Sequence, residues 1–152
     1  MSEYLAKVEW QRGEQEFIDN KYSREHTWEF DGGLVVPASA SPGIVPLPYS
    51  VEYNLDPEEA FVAAVSSCHM LFFLSIAGKK QHRVDTYLDN AIGVMEKDES
   101  GALSITRVKL QPRLTGEVAQ LDRDTLMDMH EQAHKLCFIA NSIKSEISID
   151  IA

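Results

Sequence analysis

The chain has 152 residues, 44% of them hydrophobic and 25% charged, which predicts one globular domain spanning residues 1–152 with a core of its own. Its formal net charge of −10 repels phosphate and anionic lipid, which excludes nucleic-acid binding and adhesion to a membrane surface as leading functions. Two cysteines are too few for a disulfide-stapled scaffold.

In chain order, the opening residues 4–37 read as strands. Leu5–Trp10 alternates, Thr27–Phe30 carries Trp28 and Phe30 at alternating positions, Gly32–Gly33 marks a turn, and Leu34–Val36 resumes the strand. No apolar signal core precedes them, so a cytoplasmic location is expected. From Pro37 to Tyr53 the prolines Pro37, Pro42, Pro46 and Pro48 predict an ordered surface loop.

A long helix follows. Asp56 can cap it, Pro57 suits its first position, and Glu59 stands three residues after Asp56 as in a capping box. It runs through AFVAAVSSCHMLFFLSIAG and stops near Gly78. The apolar run Ala60–Ala77 approaches the length of a membrane span, but Ser66, Ser67, Cys68, His69 and Ser75 interrupt it and no anchors flank both ends. A buried central helix, covered on most sides, is therefore expected. Val84–Glu96 and Ser104–Thr115 read as two strands about the turn-rich KDESG. A second helix is predicted from about Asp122 to Ala140, with Leu126, Met129, Ala133, Leu136 and Ala140 on its apolar face. The tail EISIDIA alternates and predicts a last strand with Ile147, Ile149 and Ile151 facing a core. Strands, long helix, strands, helix and strand make an α+β fold, with helices on an antiparallel sheet.

The chemistry centres on Cys68, near the middle of the long helix, and Cys137, near the end of the second. Alone they are a weak signal, because a buried cysteine is usually a small hydrophobe. His130, His134 and Cys137 share one helix face, and with Cys68 and His69 they could instead form a Zn²⁺ set.

The segment DPEEAFVAAVSSCHM resembles the first motif of the OsmC/Ohr family, the osmotically inducible and organic hydroperoxide resistance proteins: Pro57 and Glu58 open the helix and Cys68 follows ten residues after the glutamate. AHKLCFIANS resembles the second motif through Ala133, His134, Cys137 and Asn141. The resemblance implies a stress-response thiol peroxidase with no cofactor and no bound metal, reducing organic hydroperoxides, with Cys68 as attacking thiolate, Cys137 as resolving thiol, and an external dithiol, of lipoyl type, as reductant. It implies that Glu58 holds an arginine facing Cys68, for which Arg24 is the first candidate and Arg12 the second. It also implies an intertwined homodimer. Glu58 and Cys68 are roughly 15 Å apart along one helix, so Glu58 and Arg24 are expected to serve the Cys68 of a partner subunit. Phe61, Phe72 and Phe138 are candidates to shape an apolar substrate site. The sequence departs from the family pattern at His69 and Phe138, each directly after a cysteine. The alternatives are a thiol-based sensor or ligand-binding protein with little turnover, and a zinc protein.

Overall fold

The computed structural model describes all 152 residues. They form two compact units, Met1–Ala60 and Phe61–Ala152.

The first unit is an antiparallel meander of β1 (Ala6–Glu9), β2 (His26–Phe30) and β3 (Val35–Ala38). Trp28, on the middle strand, stands opposite Val8 on one side and Val36 on the other. Gly33 has a φ of 90° in the turn after Phe30, a conformation that favours glycine. Pro37 lies inside β3 rather than in the loop where the sequence places it, paired with Thr27. An edge strand tolerates this, since proline lacks only the N–H. The carbonyl of Pro37 accepts from the Leu55 N–H, and the Ser39 N–H donates to Leu55 O. Buried Ser39 accepts from the Val51 N–H through its hydroxyl, so the proline-rich loop is pinned at its base.

Helix α1 (Pro57–Lys79) begins in the first unit and continues into the second. Its start is a reciprocal capping box: the Glu59 N–H donates to Asp56 Oδ1 at 2.8 Å, and the Asp56 N–H donates to Glu59 Oε2 at 3.3 Å.

In the second unit, α1 is followed by β4 (Thr86–Asp89), β5 (Ile92–Lys97), β6 (Leu103–Leu110) and β7 (Pro112–Thr115). Each of the two long strands expected from sequence is thus divided. β4 pairs with β7 and β5 with β6, all antiparallel, and the register carries through the break, from Asp89↔Pro112 to Ile92↔Lys109. The break has a side-chain cause. The Asp89 carboxylate takes the Gln111 N–H at 2.6 Å, and the Gln111 side-chain amide donates to Asn90 O, replacing ladder bonds at this point. β8 (Glu146–Ile149) joins the β5–β6 sheet beside β6, and it does so parallel. The sheet is therefore mixed, not wholly antiparallel.

Two clusters make the core. Phe73, Ile76 and Ala77 of α1 pack with Val118, Met129 and Ala133. Val65 packs with Val108 and Leu110 of β6, with Ile147 and Ile149 at the rim. Full burial of a side chain such as Phe73 or Leu110 contributes about 1.5–3 kcal/mol. Cys68 and His69 fall on α1 between Val65 of one cluster and Phe73 of the other.

The expected covering of α1 is not achieved within one chain. Only 28% of its most apolar stretch is buried, although by length and composition that stretch is apolar enough to cross a membrane. Ala63, Ala64, Ser67, Leu71 and Ser75 are exposed.

Candidate functional site

Cys137 is not in a helix. Helix α2 (Arg123–Leu136) ends one residue earlier, and Cys137 is its extended C-cap, with its N–H donating to His134 O. A short 3-10 turn, Ala140–Ser142, follows. The sequence expects helix through Ala140, but the Ala140 N–H turns instead to Cys137 Sγ at 3.4 Å. The Asn141 side-chain amide donates to Lys135 O, satisfying one of the terminal carbonyls. Leu136, expected on the apolar face, is exposed.

This cap brings the thiols together. Cys137 is 1% exposed, Cys68 is half-buried, and neither is in a disulfide. Burial pushes the Cys137 thiol up. The Ala140 N–H beside its sulfur works against this, and the neighbouring Cys68 adds to it. Cys137 therefore holds its proton more firmly than a free thiol does. One accessible sulfur facing one sheltered sulfur can undergo oxidation at the first and disulfide closure by the second.

Phe72, one turn after Cys68, meets Phe138, the neighbour of Cys137, edge to face with ring centres 5.0 Å apart. Phe138 remains exposed. Phe61 belongs to the rim of the Val65 cluster, roughly 10 Å before Cys68 along the helix.

Glu58 is half-buried, and its Oε2 is buried without a hydrogen-bond partner. Arg24 does not supply one within the first unit. Its guanidinium donates to the backbone carbonyls of Asn20 and Tyr22 and to Asn20 Oδ1, and lies 3.7 Å from the centre of the Tyr22 ring. Tyr22 in turn stacks with Phe17 and meets the edge of Trp10. Arg12 bonds to Gln15 O.

The zinc arrangement that the sequence allows is not formed. No three His, Cys, Asp or Glu side chains come together as a metal-ligand set. His130 is turned to His69, with His69 Nε2 and His130 Nδ1 at 3.0 Å. The sequence brings His69 and His130 together only as possible zinc ligands and does not foresee this hydrogen bond. The available signal was His69 itself, a polar ring on an apolar helix next to a cysteine. The sequence also does not foresee the bond from Ser66 Oγ to Asp89 Oδ2, which ties α1 to the break in the hairpin.

The profile of the family described as OsmC-like protein matches residues 52–152. The chain belongs to the OsmC-like family. An OsmC-like protein of unknown function from Vibrio cholerae is 52% identical and has a TM-score of 0.96, with all of both chains covered. An organic hydroperoxide resistance protein from Elizabethkingia anophelis shares the OsmC-like fold at 16% identity and a TM-score of 0.72, over 98% of this chain and 93% of that one. The organic hydroperoxide resistance protein OhrB of Bacillus subtilis does so at 20% identity and 0.67, over 97% and 98%. No curated protein matches the chain significantly. The match begins in the loop ahead of α1, so both motif cysteines and Glu58 lie within the OsmC-like region, while Arg24 and the strands around it lie outside it.

Proposed function

We propose that this OsmC-like protein is a cytoplasmic, two-cysteine peroxidase that reduces organic hydroperoxides to alcohols without a cofactor. The observation that carries this reading is a half-buried Cys68 that neighbours a sheltered Cys137 and helps to hold its thiol up, in an OsmC-like chain that shares its fold with hydroperoxide resistance proteins. The Cys68 thiolate attacks the terminal oxygen of the hydroperoxide, the O–O bond breaks, and the sulfur is oxidised to sulfenic acid as the alkoxide takes a proton and leaves as alcohol. Cys137, deprotonated as it attacks, then displaces hydroxide from the Cys68 sulfur. A disulfide and water result. An external dithiol of lipoyl type restores both thiols by exchange.

Phe72 and Phe138 give the thiols an apolar flank suited to an organic group, and Phe61 extends that surface along α1. Glu58 and Arg24 serve the thiolate of a second subunit: the unpartnered, buried Glu58 Oε2 is an acceptor that a guanidinium would satisfy, and a charged arginine favours a thiolate. The exposed small-residue face of α1, with Ser67, Leu71 and Ser75 four apart, supports a homodimer that covers it.

The test is consumption of cumene hydroperoxide and hydrogen peroxide by the reduced protein with a dithiol, with Cys68→Ser alongside. Faster, Cys68-dependent loss of the organic peroxide is expected. No consumption of either, with both thiols intact, would refute the reading. Disulfide formation without turnover would make the protein a sensor.

A further inference from the structure

One polar contact between α1 and α2 has no role in the chemistry above. His69 and His130 are 1% and 0% exposed. Their Nε2···Nδ1 bond of 3.0 Å is the side-chain hydrogen bond that links the two helices, and the rings lie within 5° of parallel. Phe73 stacks on His130 with centres 4.2 Å apart. Burial holds both rings neutral. It pushes His69 down to about 4, with His134 adding to the effect and Asp89 opposing it. It pushes His130 down to about 3, with His69 adding. Two apolar side chains would fill this space without removing imidazoles from water. What the imidazoles add is direction, because a hydrogen bond of fixed geometry sets how far one helix slides along the other, whereas apolar contacts tolerate slippage.

That register bears on the thiols. His69 follows Cys68 directly, and Cys137 lies two turns beyond His130 on nearly the same line of α2. Cys137 itself has left the helix, and its neighbours Leu136 and Phe138 are exposed. A slip of one residue along the axis moves a helix about 1.5 Å, while disulfide closure requires the two Cβ atoms at roughly 3.5–4.5 Å.

We propose that the His69–His130 hydrogen bond is a register clamp that seats Cys137 against Cys68 for disulfide closure, making both histidines positioning residues. The proposal rests on the reading of Cys137 as the resolving thiol. One proton lies between the two facing nitrogens, so both rings hold the same tautomer. The outer atoms, His69 Nδ1 and His130 Nε2, are buried without a protein partner, and one of them is a donor, the other an acceptor.

The test is the competition between closure and over-oxidation. Wild type, His130→Phe and His130→Asn are treated with rising cumene hydroperoxide, and the ratio of Cys68–Cys137 disulfide to Cys68 sulfinic acid is read by mass spectrometry. Phenylalanine keeps the volume and the stacking on Phe73 but loses the bond. It is expected to raise the sulfinic share roughly three- to tenfold, the worth of one hydrogen bond, with the first attack on peroxide unchanged. Asparagine, with an acceptor near the place of Nδ1, restores closure. An unchanged ratio in His130→Phe overturns the clamp.

Diamide, which oxidises dithiols without peroxide, separates the two readings. If the wild type consumes no peroxide yet closes its disulfide with diamide faster than His130→Phe, the peroxidase reading fails and the clamp stands. Equal rates with diamide overturn the clamp. Where the phenylalanine variant does not fold, nitrogen NMR of the wild-type rings decides: two neutral rings of one tautomer at pH 7 are expected, and opposite tautomers or a charged ring overturn the proposal.

Discussion

A methyl group on Gly93 of β5 would lie 2.4 Å from Cγ2 of Val62, six residues before Cys68 on α1. The absence of a side chain at residue 93 is what lets the helix rest on the strand. Gly93→Ala is expected to lose about 1–3 kcal/mol through overpacking, and Val62→Ala in the same chain to recover part of it. Denaturant midpoints of the single and double variants measure both. An unchanged midpoint in Gly93→Ala would mean that helix and strand are not in this contact.

The capping box at the start of α1 gives a second stability prediction. Asp56→Ala removes the acceptor for the Glu59 N–H and is expected to cost about 1–2 kcal/mol. Thermal unfolding reads the loss. Asp56→Asn, which can still accept, should lose much less.

The buried histidines predict a pH dependence of stability. Their pKa values are lowered to about 4 and about 3 from an ordinary 6.5. In the folded state they bind fewer protons than in the unfolded state wherever the pH lies between these values. Their contribution is therefore complete above about pH 6.5 and is lost as pH falls toward 4, at up to about 1.4 kcal/mol per pH unit for each ring. Between pH 6.5 and 5, above the usual carboxylate range, this slope should dominate. Chemical denaturation across that window should show a much flatter line for a His69→Phe/His130→Phe double variant; an equal slope would assign the dependence to other groups.

The two cysteines are expected to fail differently. Cys68→Ser should abolish peroxide reduction. Cys137→Ser should complete one attack and then stop at the sulfenic or sulfinic acid of Cys68, visible by mass spectrometry. If Cys137→Ser alone prevented the first attack, the roles of the two thiols would be reversed.

The residues that announced themselves in the sequence did so through local rules. Asp56, Pro57 and Glu59 spell a helix start because capping depends on spacing alone. Ile147 and Ile149 spell a buried strand face because the strand period is two. What local pattern does not carry is partner choice. The alternation in EISIDIA is the same whether the strand pairs parallel or antiparallel, and β8 pairs parallel. The division of the hairpin at Asn90 and Gln111 depends on the Asp89 carboxylate reaching an N–H across the ladder. Cys137 reads as helical because the break after Leu136 is made by Asn141 folding back on Lys135 O. At the site, the two motifs single out Cys68 and Cys137 as a pair, whereas His69 and His130, 61 residues apart, are grouped by the sequence only as possible zinc ligands, and their hydrogen bond depends on how the helices pack. Arg24 was matched by type, but its engagement with Asn20 and Tyr22 depends on the conformation of the loop before β2.

The central claim is that Cys68 and Cys137 act as one redox pair, and the most direct test is to add one equivalent of cumene hydroperoxide to the fully reduced protein and map its cysteines by mass spectrometry. The account predicts one Cys68–Cys137 disulfide and one equivalent of the alcohol per chain. Two free thiols with the hydroperoxide unconsumed would contradict it.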